Sequence, residues 1–173
     1  MKKLVLIGFL LILSPTSLAQ QSTSKLDSLR FLVGKWVGEG TGEVGAGSGQ
    51  STFEMGLKDK VLIRRNHAEY PATQGRPAVT HDDLMIIYVD PATHEPRAFY
   101  TDSEGNTINY AVTVTNGGKS VVFLSDLAEH LRRYRLTYVV AKSDQMTLTF
   151  EIATPEKPND FKRFIEGRIR RVQ

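Results

Sequence analysis

The side chains able to do chemistry in this chain are arginines, tyrosines and histidines. Cysteine is absent, which removes thiol nucleophiles, thiolate metal sites and disulfides. Four histidines are present: His67, His81, His94 and His130. No two stand at i, i+2 or i, i+4, so no local metal signature exists and no metal is expected. His94 sits in the turn sequence Pro91–Pro96, and His130 in the connection that holds Asp126 and Glu129. Those three could gather around an ion, but a solvated turn explains them better. No Gly-x-Ser-x-Gly elbow occurs, and the glycine-rich Gly47-Ser48-Gly49 leads into a strand rather than a helix. No nucleophile, base and orienting group can be assembled, so catalysis is not expected. The acidic neighbours Asp82 and Asp83, and Asp102 and Glu104, read as turn chemistry.

A second group is more suggestive. Arg64 and Asn66 alternate with Arg65, His67 and Glu69. Both faces of that segment are polar, so a central strand here must bring charge inward. Farther on, Tyr134, Leu136, Tyr138 and Val140 share one face, with Arg133, Arg135 and Thr137 on the other. Arg97, Tyr100 and Tyr110 add guanidinium and phenol groups. An arginine fork beside phenols is a good receiver for a carboxylate within an apolar cavity. The expected ligand-binding set is Arg64, His67, Arg97, Tyr110, Arg135 and Tyr138. Glu69 and Glu151 are the mid-strand acids placed to balance those arginines.

The elements that must carry these residues are strands. Leu26, Leu29 and Leu32 fall on one face of a short helix at 25–33, capped by Ser24 and ended by Gly34. From there the apolar period is two. Ten strand-like runs are expected at 36–44, 49–57, 60–70, 84–90, 96–101, 107–115, 119–124, 132–141, 145–153 and 161–171. Tight turns separate most of them, as at Asn116-Gly117-Gly118 and Lys142-Ser143-Asp144. Such a meander hides its edges by closing into an antiparallel up-and-down barrel, with a two-sheet sandwich as rival. The longer connections, 71–83 and 154–160, are candidates for a ligand entrance.

The segment Gly34-x-Trp36-x-Gly38-x-Gly40-x-Gly42 resembles the opening strand of the lipocalin and fatty-acid-binding (calycin) superfamily. Its extended glycine pattern is similar to that of nitrobindin, a ten-stranded haem-binding barrel. Residues 26–172 also resemble a group of small exported bacterial proteins with a lipocalin-like barrel, through Leu62–Asn66, His81–Met85 and Arg135–Tyr138. The resemblance implies an all-β barrel with the helix at its closed end. In nitrobindin the iron is held by a histidine at the start of the last strand. The matching stretch Pro158–Phe164 has none, so neither haem nor any other cofactor is expected. Trp36 is placed to plug the closed end. Antiparallel pairing of the first and last strands would bring the Arg170–Arg171 end beside it, with one guanidinium on the indole and Arg171 favoured because it shares a face with Ile165 and Ile169.

The N-terminus reads as an export signal. Lys2 and Lys3 precede an apolar run from Leu4 to Leu13, then Ser14-Pro15, and small residues at Ser17 and Ala19. The run is too short to span a membrane. The expected organisation is a signal peptide at 1–19, a disordered leader at 20–24 and one domain at 25–173. The formal net charge of +3 counts Lys2 and Lys3, so the mature chain is close to neutral. The only basic cluster at one end is Arg168, Arg170 and Arg171, and no nucleic-acid partner is expected. The sequence therefore points to a periplasmic or secreted protein, not membrane-bound after cleavage. It would hold a small apolar or amphipathic molecule, with an acidic or polar head, inside the barrel. The alternatives are a haem barrel lacking the usual histidine, an enzyme on the same barrel, and a filled structural or partner-binding barrel.

Overall fold

The computed structural model describes residues 24–39 and 47–172. The expected signal peptide, most of the leader, and Gly40 and Gly42 lie outside the described residues. Ten strands follow the N-terminal helix: β1 Gly34–Glu39, β2 Ser48–Gly56, β3 Val61–Tyr70, β4 Val79–Val89, β5 Pro96–Asp102, β6 Thr107–Thr115, β7 Ser120–Ser125, β8 Arg133–Lys142, β9 Gln145–Ala153 and β10 Lys162–Val172. Each pairs antiparallel with its sequence neighbours, and β10 pairs with β1, closing the barrel. Closure satisfies the edge groups that an open sheet would expose. None of the described helices is long and apolar enough to cross a membrane.

The largest departure from the expected strands is β4. It begins at Val79, five residues before the expected start, and turns the last five residues of the supposed 71–83 loop into wall. The polar stretch Thr80–Asp83 shows no apolar alternation. It is strand because β3 already extends to Tyr70 and offers it partners, Glu69 to Thr80 and His67 to Asp82 among them.

The N-terminal helix is a 3-10 helix over Lys25–Leu32, with the Ser24 hydroxyl accepting from the Leu26 N–H. Three residues per turn stack Leu26, Leu29 and Leu32 directly above one another, and all three are buried. An α-helix would spread them over a wider arc. The helix lies at the end of the barrel that holds the 57–60 and 90–95 turns, through Arg30 to Asp59 at 3.0 Å and Lys25 to Glu95.

Trp36 plugs that end. Its Nε1–H donates to the Leu32 carbonyl at 2.7 Å. Trp36 pairs directly with Arg171 across β1 and β10. The Arg171 guanidinium stacks 4.2 Å from the indole centroid and donates to the Phe31 carbonyl at 2.9 Å and to that of Val33. It therefore satisfies carbonyls that the end of the helix leaves without partners. Gly34 makes this possible. Its φ is +132°, and a Cβ there would stand 2.5 Å from an Arg171 nitrogen. The neighbouring Arg168 and Arg170 are exposed, with Arg170 3.8 Å from Glu39. The terminal basic cluster is thus divided between the core and the surface.

Candidate functional site

Pleat parity assigns the inward residues. Buried Leu62 and Arg64 fix the inner face of β3, Asp83, Met85 and Ile87 that of β4, and Ala98 that of β5. Tyr110 and Val112 do so for β6, and Leu136 and Tyr138 for β8. A run of aromatic rings crosses the interior edge to face. Phe53 meets Tyr138 at 5.7 Å, Tyr138 meets Phe123 at 6.2 Å, Phe123 meets Tyr110 at 6.3 Å, and Tyr110 meets Tyr100 at 6.3 Å. These rings and the helix leucines fill the closed half of the barrel.

Arg64 stands among these rings, only 5% exposed. Its Nη1 donates to Asp83, which is 8% exposed. The other oxygen of Asp83 accepts from Asn66 at 3.0 Å, and the Ser51 hydroxyl donates to Asn66 at 2.7 Å. Two buried groups are left over. Arg64 Nε and the Tyr138 hydroxyl make no hydrogen bond. The phenol is nevertheless close enough to Arg64 to feel its charge, and burial pushes its pKa up. Burial likewise raises the phenols of Tyr110 and Tyr100 well above their ordinary range, so all three remain neutral hydroxyls at physiological pH.

Toward the open end, His81 sits over this pair. Its Nδ1 lies 2.8 Å from Glu104, and its Nε2 lies 3.4 Å from Asp83 and 3.3 Å from the Tyr100 hydroxyl. The bond to Asp83, opposed by partial burial and reinforced by Glu104, holds the imidazolium up to about 9. Tyr100 also donates to Asp102 at 3.2 Å, and Asp102 anchors the 103–106 turn through Asn106. Donor atoms of His81, Asp102 and Glu104 lie within 4.8 Å of one another, the one such group found among the described residues. They are the residues that could hold a cation, but each is already committed to the protein contacts just described.

The raised His81 pKa has a sign that can be checked. A group charged more readily in the folded state stabilises the fold fully below its unfolded pKa, near 6.5. That contribution is lost as pH rises through about 9. Partial exposure reduces the effect to about 1–2 kcal/mol. Urea unfolding of the wild type is therefore expected to weaken between pH 7 and about 9.5 relative to His81→Gln. Parallel pH profiles for the two proteins would refute the assignment.

The opposite wall of the mouth is apolar. Tyr134 on β8 stacks on Phe150 of β9 at 5.9 Å, and Phe164 meets the edge of Phe150 at 6.3 Å. Phe164, beside the irregular register between Arg163 and Ile165, is 58% exposed. The mouth is thus two-sided, with polar groups on β2–β5 facing aromatic groups on β8–β10.

The expected ligand residues divide. Arg64, Tyr110 and Tyr138 meet inside the barrel. Arg97, Arg135 and His67 do not; they stand on the outer face. Arg97 pairs with Asp126, and Arg135 forms a two-pronged pair with Glu151 while lying 4.3 Å from the Phe161 ring centroid. His67 lies 2.7 Å from Asp82 and 3.2 Å from Glu69. The parity that turns Arg64 and Asn66 inward turns these outward. Of the two acids expected to balance interior arginines, Glu151 acts on the outside and Glu69 pairs with His67. Asp83 does the interior work that sequence reasoning missed, because its strand reads as a loop. The suspected Asp126–Glu129–His130 group does not assemble: Asp126 is bound to Arg97, and His130 is exposed 3.6 Å from Glu129.

Open concavities lie among the described residues. One of about 380 Å³ is bordered by Arg65, Asp82, Leu84 and Thr101 together with Asn66, Asp83 and Asp102. Another of about 280 Å³ lies by Gly38, Gln50, His67 and Glu69. Neither is lined by Tyr110 or Tyr138. No family model matches the chain, and no curated protein matches it either.

Proposed function

We propose that this is an exported, lipocalin-like binding protein whose barrel takes a small, largely apolar molecule through the open end. The observation that carries this reading is the pair of unpartnered buried groups, Arg64 Nε and the Tyr138 hydroxyl. A buried donor without an acceptor costs about 1–3 kcal/mol. A ligand oxygen or a water within reach of both groups would recover that cost. The half-exposed rings of Tyr134, Phe150 and Phe164 are suited to the apolar body of the same molecule.

A direct test is titration with a fluorescent amphiphile whose emission rises in apolar surroundings. Saturable uptake is expected, and Tyr138→Phe should weaken it by about 1 kcal/mol. The same substitution should leave unfolding stability equal or slightly higher, because it removes a buried hydroxyl that has no partner. Uptake that is unchanged in Tyr138→Phe would place the ligand elsewhere. Export has its own test: N-terminal sequencing of protein recovered outside the cytoplasm should begin at Gln20, and an intact Met1 would refute cleavage there.

One observation favours a second reading. The closed half of the barrel is densely packed, as a structural or partner-binding barrel requires. Absence of any saturable uptake would favour it.

A further inference from the structure

We infer that His81, Asp102 and Glu104 form a binding site for one divalent transition-metal ion such as zinc, at the open end of the barrel. The site does not depend on what the barrel interior holds.

The donor set is the first reason. One imidazole and two carboxylates suit zinc, with water in the fourth place. Donor atoms of the three side chains lie within 4.8 Å of one another. Around one zinc ion such atoms stand about 3.3 Å apart, so a closure of about 1 Å brings them onto it. Glu104 is exposed on the 103–106 turn and is free to make that movement. A neutral imidazole and two carboxylates also balance the charge of a divalent ion. The contacts that now engage these side chains can yield. The ion takes the place of the proton between His81 Nδ1 and Glu104, which passes to solvent. Asp102 Oδ1 accepts from the backbone N–H groups of Glu104 and Asn106, which keeps the turn intact. Its Oδ2 accepts only from side chains, Tyr100 at 3.2 Å and Asn106 at 2.9 Å, and can turn to the ion.

The support behind the imidazole is the second reason. With Nδ1 toward the ion, Nε2–H faces the buried Asp83 at 3.4 Å. A ligating imidazole almost always gives its other N–H to such a carboxylate or to a carbonyl or water, which fixes the ring. Asp83 is itself held by Arg64 and Asn66, so the support is rigid. His67 is the contrast. Its two nitrogens face Asp82 and Glu69, and no third donor gathers with them among the described residues. Access is open, because the concavity bordered by Asp82, Asp83 and Asp102 lies beside the cluster. No spacing in the sequence announces the site. His81 comes from β4, Asp102 from the end of β5 and Glu104 from the turn that follows.

The test is calorimetric titration of the untagged protein with Zn2+, and titration with Co2+ followed by visible absorption. One equivalent is expected to bind, Co2+ with a spectrum of nitrogen and oxygen ligation. The unfolding midpoint should rise with free Zn2+. Glu104→Gln changes an exposed turn side chain, so the barrel should persist by circular dichroism. It should weaken binding about tenfold or more. His81→Gln should abolish binding, whereas His67→Gln and His130→Gln should bind as the wild type does. Undiminished binding in His81→Gln or Glu104→Gln would overturn the inference. Loss of binding in His67→Gln or His130→Gln would do the same, by moving the ion to the outer face or to the 126–132 connection. So would a wild type that binds neither ion saturably.

Discussion

Replacing Arg64 with methionine is expected to cost about 3–5 kcal/mol of folding stability, the usual consequence of leaving a buried charge without its partner. Asp83 would remain inside the barrel with only Asn66 and His81 to compensate it. Asp83→Asn should be comparably harmful, because it strands the Arg64 guanidinium at 5% exposure. The double variant Arg64→Met, Asp83→Asn should recover much of the loss, to within about 2 kcal/mol of the wild type, since a buried pair as a whole contributes little net stability. Urea denaturation of the four proteins measures this as a coupling energy. Additive single effects would show that the two side chains do not act as a pair. The outer pairs Arg97–Asp126 and Arg135–Glu151 are the natural comparison. Each is partly exposed, so the same treatment there should change stability by no more than about 1 kcal/mol.

Trp36→Ala is expected to be equally severe, at about 3–5 kcal/mol, because it empties the fully buried plug of the closed end. The damage goes beyond the cavity. The Leu32 carbonyl loses its donor, and the Arg171 guanidinium loses the ring on which it lies. Trp36→Phe separates these contributions. It keeps most of the packing but gives up the indole N–H, and should cost about 1–2 kcal/mol. Arg171→Met tests the other partner by removing the stacking cation and the donors to Phe31 and Val33. Thermal unfolding of the three variants should rank Trp36→Ala as the least stable. A Trp36→Ala protein as stable as the wild type would show that the helix and the closed end do not need the plug.

Much of the architecture was legible in the sequence. The strict alternation of Met146, Leu148, Phe150 and Ile152 determines β9 to the residue. Tight turns between short apolar-alternating runs determine an antiparallel meander, and the need to hide its edges determines closure. Once β1 and β10 pair antiparallel, the start of one must meet the end of the other, so Trp36 comes to the Arg170–Arg171 end, and the face Arg171 shares with Ile165 and Ile169 favours it for the contact observed. Leucines spaced by three determine the buried face of the N-terminal helix. The Tyr134, Leu136, Tyr138 and Val140 face was grouped by its alternation, but the inward face was not decided, since Arg135 on the opposite face was expected in the barrel together with Tyr138.

The site was legible only in part, and the physical reason is contrast. Parity within a strand is fixed by the pleat, but the choice of inward face needs one face to be plainly more apolar than the other. In β5, apolar Phe99 is on the face of Arg97, so nothing local sends that arginine outward; the inward register of Ala98 and Tyr100 does. In β3, both faces are polar from Arg64 to Glu69, and the pairing with β2 and β4 decides between them. Thr80–Asp83 carries no alternation at all, so it becomes strand only because β3 extends far enough to pair with it. That pairing brings Asp83 beside Arg64 and His81 over both. Charge balance in the interior depends on which residues meet across strands, and that is a property of tertiary register rather than of any single segment.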